Sequence, residues 1–149
     1  MATLTKSTKP IKAKEITRSW HLIDGQKKIV GRLASEIAKL LIGKHKANYV
    51  DYLDSGDHVV VINARKVVLS GKKEQVKTYS RYSGYPGGLK IVSFKKLQEN
   101  QPQEIVRHAV YGMLPKNKLR DKRMVKLHIF ADEKHSFEDK FKLENPKSK

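Results

Sequence analysis

The chain has 149 residues, enough for one domain with its own core, and it carries 32 Lys and Arg against 15 Asp and Glu, a formal charge of +17. The absence of cysteine excludes disulfides, thiolate catalysis and cysteine zinc sites, and no apolar run reaches the ~18 residues that cross a bilayer. A free domain at this charge repels itself, so a polyanion partner is expected: nucleic acid first, an anionic membrane surface second, cationic solubility without a partner last.

Residues 1–18 read as a basic N-terminal arm, with Lys6, Lys9, Lys12, Lys14 and Arg18 against Glu15. An organelle transit peptide has a similar composition. The arm reading is preferred because the segment is short and shows no clear apolar helical face. Residues 19–131 are expected to form a single α/β RNA-binding domain. Its first element is a strand at 20–23, stopped by the turn pair Asp24-Gly25. Val30, Leu33, Ile37, Leu40 and Leu41 then recur at helical spacing opposite Arg32, Ser35, Glu36 and Lys39, which predicts a helix ended by Gly43.

The run 58–63 is β-branched from Val59 to Ile62, between His58 and Asn63, as in a strand buried on both faces of a parallel sheet. A second short apolar stretch, 66–69, ends at Ser70-Gly71, and 76–82 alternates weakly enough to suggest a strand. Residues 83–88 hold three glycines and a proline and are expected to be a loop. Ser93 is a candidate cap for a short helix carrying Phe94 and Leu97. Pro102 suits the first turn of the next helix, with Ile105, Val106, Ala109, Val110 and Met113 along one side. Residues 127–130 read as a last short strand. From 132 to 149, five acids and five lysines predict a charge-balanced, poorly packed tail.

The chemistry-bearing motifs of enzymes are missing. There is no G-x-G-x-x-G after a strand, no G-x-x-x-x-G-K-[ST], no G-x-S-x-G and no H-E-x-x-H. No catalytic residue and no cofactor is assigned. The six histidines, at 21, 45, 58, 108, 128 and 135, lack metal-ligand spacing. No metal site is assigned, and each histidine reads as a surface or RNA-facing residue. Asp54 and Asp57 resemble a carboxylate pair, but Asp54-Ser55-Gly56-Asp57 reads better as a turn capping the entry to the 58–63 strand.

Three basic clusters are more informative. Lys44, His45 and Lys46 follow the first helix on a short turn. Lys72, Lys73, Lys77, Arg81 and Lys90 frame the glycine-rich loop, interleaved with Tyr79, Tyr82 and Tyr85. Lys116, Lys118, Arg120, Lys122, Arg123 and Lys126 oppose only Asp121. At helical spacing Lys116, Arg120 and Arg123 share a face. Cations that hold phosphates beside aromatic rings that stack on unpaired bases are a common mode of RNA recognition. Any one run alone reads better as a solvated face; three in one chain of +17, interrupted by glycine and tyrosine, point to RNA.

The chain resembles the L-thirteen family of large-subunit ribosomal proteins in its bacterial and organelle form, from about Trp20 to about His135. The matching stretches are Trp20-His21-Leu22-Ile23-Asp24, Val30-Gly31-Arg32-Leu33-Ala34-Ser35, Gly43-Lys44-His45-Lys46, and Asp54-Ser55-Gly56-Asp57 running into Val59 to Ala64. They continue with Ser83-Gly84-Tyr85-Pro86-Gly87-Gly88-Leu89-Lys90 and the run from Ala109 to Leu119. The resemblance implies a three-layer α/β/α fold with a four-stranded, mainly parallel sheet and loop extensions. It also implies binding to large-subunit ribosomal RNA beside neighbouring ribosomal proteins, a part in early subunit assembly, and no catalytic activity. The location implied is the ribosome of the cytoplasm or of an organelle. No membrane and no small-molecule substrate is expected.

By resemblance, Lys44, His45, Lys46, the loop Arg81, Tyr82, Ser83, Gly84, Tyr85, Gly87, Gly88 and Lys90, and the segment from Met113 to Arg123 should face RNA. The charge reading adds Lys72 and Lys73. Three departures stand out. Arg120-Asp121 replaces a usual Gly-Arg, Tyr82 stands where histidine is frequent, and Asp132 replaces a glycine. The competing function classes are an RNA-associated enzyme or modification factor on an α/β fold, and a cationic membrane-surface protein. The first needs a phosphate loop or catalytic pair. The second needs a basic amphipathic helix with Trp or Phe on its apolar face, whereas the face at 30–42 is aliphatic.

Overall fold

The computed structural model describes residues 11–144, with side chains up to 141. Of the expected N-terminal arm, residues 1–10 therefore lie outside the described residues. Residues 13–15 form one 3-10 turn.

Three parallel strands form the central sheet in the order β1 (Trp20–Asp24), β2 (His58–Ile62) and β5 (Leu127–Ile129). Trp20 pairs with His58, and Val59 with Leu127. Among the described residues the sheet has three strands, where four were expected. The stretch 66–69 contributes a single parallel bridge, Ile29 to Val68, after a 3-10 turn at Ala64–Lys66. That turn occupies the start of the stretch, leaving too few extended residues for a ladder. The expected mainly parallel α/β sheet is otherwise present.

The helix α1 (Val30–Ile42) buries Val30, Leu33, Ala34, Ile37, Ala38, Leu41 and Ile42 and leaves Arg32, Ser35, Glu36 and Lys39 outside. Gly43 ends it with φ of 86°, where a side chain is disfavoured, and donates its N–H to the Lys39 and Leu40 carbonyls. Three short elements follow β2: α2 (Lys73–Val76), β3 (Thr78–Tyr82) and β4 (Leu89–Ser93). The last two pair as an antiparallel hairpin. Then come α3 (Phe94–Asn100) and α4 (Pro102–Met113), with Pro102 in the first turn. Ser93 occupies the N-cap of α3 in extended conformation without a side-chain cap bond, so its capping is conformational only.

One face of the sheet carries Ile23, Val59, Val61, Leu127 and Ile129, joined in one core with α1 and with Phe94, Ile105, Val106 and Val110. Burying a Leu- or Ile-sized side chain contributes about 1.5–3 kcal/mol, so this cluster dominates stability. The opposite face is aromatic. Trp20 stacks on His58 at 4.3 Å, on His128 at 5.7 Å and on Phe137 at 5.2 Å between ring centroids, and meets Phe141 edge-on. The described part of the segment after residue 132 is mostly exposed, yet it packs on this face through its aromatic rings. Its Phe137 and Phe141, the latter in α6 (Glu138–Glu144), cover rings that the sheet would otherwise expose, a signal hidden by counting charges alone. Burial pushes the His58 and His128 imidazoles below their ordinary pKa, and for His58 the charges of Lys126, His128 and Arg18 add to the effect.

Candidate nucleic-acid interface

The hairpin register sorts the second basic cluster by face. Tyr79 pairs with Val92 and Arg81 with Lys90, while Ser80 pairs with Ile91 and Tyr82 with Leu89. Alternation along a strand puts Tyr79, Arg81, Lys90 and Val92 on one side and Tyr82, Leu89 and Ile91 on the other. The first side lines a groove of about 870 Å³ closed by α4, with Lys77 at its edge and Glu104 and His108 opposite. Arg81 and Lys90 stand beside each other there, exposed. Tyr79 packs against the core and His108, and burial pushes its hydroxyl pKa up, so its ring is not free for a base.

Tyr82 and Tyr85 are 63% and 75% exposed and offer open ring faces. Tyr82 therefore works on the opposite face of the hairpin from Arg81 and Lys90. The loop between the strands closes with a Ser83 N–H to Gly88 carbonyl bond and a Gly88 N–H to Tyr85 carbonyl bond. Gly84 and Gly87 have φ of 89° and 71°. At Gly88 a β-carbon would run into the Ser83 hydroxyl and lie 2.9 Å from the Tyr85 carbonyl oxygen. These glycines are needed to close the loop itself, whatever it touches. Lys72 and Lys73 are exposed at the start of α2.

The third cluster divides differently from its helical reading. The helix α5 spans only Arg120–Val125, so Lys116 belongs to the preceding loop and shares no helical face with Arg123. Lys116, Lys118 and Lys122 are exposed. Arg120 donates to the Leu114 and Pro115 carbonyls and lies 4.5 Å from the Tyr111 ring centroid. With Lys116 and Lys118 it lines a shallow pocket of about 320 Å³. Arg123 was expected on RNA but is 1% exposed, with its Nε 3.9 Å from Asp54 Oδ1. Lys126 is buried too, donating to Asp54 Oδ1 at 2.7 Å and to the Gly56 carbonyl at 2.9 Å. Burial lowers the Lys126 pKa, and the Asp54 carboxylate offsets that only in part.

The first cluster is likewise split. Lys44 is exposed. Lys46 instead turns inward, donating to Asp57 Oδ1 and to the Thr17 and Ser55 carbonyls. Asp57 is fully buried. It accepts from the Ser19 N–H at 3.0 Å and sits 3.0 Å from His21 Nε2 and 2.9 Å from His45 Nε2. Burial raises the Asp57 pKa, but Lys46, the Ser19 N–H and His21 outweigh it and hold the carboxyl below its usual range. Asp54 and Asp57 are thus centres of two buried ion networks and not only turn caps. His21 and His45 converge although their spacing gives no hint of it, and His58 and His128 lie in the aromatic stack. The surface or RNA-facing reading of the histidines therefore fails for His58 and His128 and is incomplete for His21 and His45.

His108 is exposed, as expected, and lines the groove. Tyr111, also on α4, escaped the sequence reading and lines the shallow pocket beside Arg120. Among the described residues, no helix is long and apolar enough to cross a membrane.

The family described as Ribosomal protein L13 matches residues 18–136. A protein of Caldanaerobacter subterraneus subsp. tengcongensis named large ribosomal subunit protein uL13 is 49% identical over 135 residues, covering 89% of this chain and 94% of its own. Proteins of the same name from Clostridioides difficile and Desulfitobacterium hafniense are 49% and 50% identical, covering 84% and 83% of this chain and 87% of each of theirs. All three carry the name of a ribosomal protein and not of an enzyme. With the family's match running from Arg18 to Ser136, through the sheet, the hairpin and both ion networks, the chain belongs to the ribosomal protein L13 family in its bacterial form.

Proposed function

We propose that this protein is a structural, non-catalytic constituent of the large ribosomal subunit of the cytoplasm, bound to large-subunit ribosomal RNA. Residues 19–131 act as one RNA-binding domain. Two surfaces make the contact: the groove-side face of the hairpin, with Arg81 and Lys90, and the loop from Lys116 to Lys122. Lys44, Lys72 and Lys73 add phosphate contacts, and Tyr82 and Tyr85 offer stacking faces to unpaired bases. The observation that carries this reading is the cross-strand pairing of Arg81 with Lys90 in a chain of this family. Two adjacent exposed cations in cross-strand register can hold successive phosphates, and each neutralised phosphate releases counterions. Neighbouring ribosomal proteins complete its surroundings, and the family resemblance implies an early place in subunit assembly.

Lys46 and Arg123 are left out of the contact set because their charges are used inside the protein. The reading is tested by sedimenting a lysate containing the tagged protein in high-magnesium buffer. Co-migration with large subunits is expected. A protein that stays at the top of the gradient contradicts it.

A further inference from the structure

We propose that His21, His45 and Asp57 form a binding site for zinc or a similar first-row divalent cation. Three elements bring the ligands together: β1 supplies His21, the turn after α1 supplies His45, and the loop before β2 supplies Asp57. Their candidate ligand atoms all lie within 4.8 Å of one another. Both Nε2 atoms approach the same oxygen, Asp57 Oδ2, at 3.0 and 2.9 Å. The other oxygen, Oδ1, is taken by the Lys46 ammonium and the Ser19 N–H. The carboxylate is therefore fixed in orientation from behind, with Oδ2 turned toward two imidazoles. Supporting bonds of this kind orient metal ligands in known sites.

The ligand set selects the metal. Two imidazole nitrogens and one carboxylate oxygen suit zinc, whose Zn–N and Zn–O bonds of about 2.0–2.2 Å place tetrahedral ligand atoms a little over 3 Å apart. Magnesium and calcium prefer oxygen alone. Without metal, each Nε2–H can donate to Oδ2. With metal, each ring carries its proton on Nδ1 and presents the Nε2 lone pair. The His21 and His45 side chains are 33% and 36% exposed while Asp57 is buried, so solvent reaches the cluster at its imidazoles and water can take a fourth position. The Lys46 ammonium repels a cation but sits on the far oxygen, so the affinity expected is below that of a closed structural site.

Zinc chloride titrated into the full-length protein, followed by calorimetry and thermal melting, tests the proposal independently of any RNA. Saturable one-to-one binding at micromolar zinc, with a raised Tm and no competition from magnesium, is expected. His21→Ala and His45→Ala should weaken it by more than the roughly 10–100-fold that loss of a mere supporting contact costs. His45→Gln, which keeps a donor for Asp57 but is a poor zinc ligand, should lose zinc while keeping its metal-free Tm. His135→Ala, away from the cluster, should bind like wild type. No saturable binding below millimolar zinc, or equal binding by wild type, His21→Ala and His45→Gln, overturns the proposal.

Discussion

The cations of residues 44–46 and 120–126 and those of the hairpin are alike in sequence, yet the fold uses them differently. Lys46, Arg123 and Lys126 are turned toward Asp57 and Asp54 and lose most of their exposure. Arg81 and Lys90 have no acidic neighbour across the strand pair and stay in solvent. A buried ammonium is tolerated only with a carboxylate and carbonyls to replace water, and the loop 54–57 provides both. Two acids thus decide which cations are internal fasteners and which remain for a polyanion. Density of positive charge along the sequence does not make that distinction.

The sharpest way to break the comparison is to remove a fastener. Lys46→Ala leaves the buried Asp57 without its ammonium, and breaking a buried pair in this way costs about 3–5 kcal/mol. The Ser19 N–H and the two imidazoles remain, which sets the expectation at the lower end. Urea denaturation measures it, and a loss below about 1 kcal/mol, the scale of an exposed pair, would place Lys46 with the surface cations. Ile37→Ala in the core provides the calibration, with an expected loss of about 2–5 kcal/mol.

Acid sharpens the same contrast. The Asp57 carboxyl has a depressed pKa in the folded state, so its contribution is present above the unfolded value, about 3.9, and is lost as pH falls through the folded value. His58 and His128 act at higher pH. Their folded pKa values are also depressed, so the unfolded chain takes up protons first, and stability falls as pH drops below about 6.5. Trp20 is the only tryptophan and stacks on both rings. Its fluorescence should hold steady down to the ordinary imidazole value of about 6.5 and change only as pH falls below it, and Phe137→Ala should alter it already at neutral pH. An unchanged Trp20 signal in both experiments would contradict the packing of the C-terminal segment.

How far the sequence was legible follows from the range of each interaction. The helix at 30–42 and the strand at 58–62 carry their periodicity within themselves and were read within a residue or so. The strand at 89–93 was not anticipated. It has little burial of its own and exists only through its pairing with 78–82. Arg123 was misplaced because a helical face was extended back to Lys116, four residues before α5 begins. The Asp57 network was invisible because its partners lie 11 to 38 residues away, and nothing local marks them. The exposed cations of the hairpin were legible as a cluster, but their division into a cationic and an aromatic face waited on the register.

The central claim is that Arg81 and Lys90 grip RNA while Lys46 grips the protein. Its most direct test is the salt dependence of binding to large-subunit ribosomal RNA for the wild type and for Arg81→Ala/Lys90→Ala. The account predicts an unchanged melting temperature for the double variant. It also predicts a slope of log K against log salt that is shallower by about 0.7–0.9 for each phosphate contact removed. A double variant with the wild-type slope and affinity would contradict it.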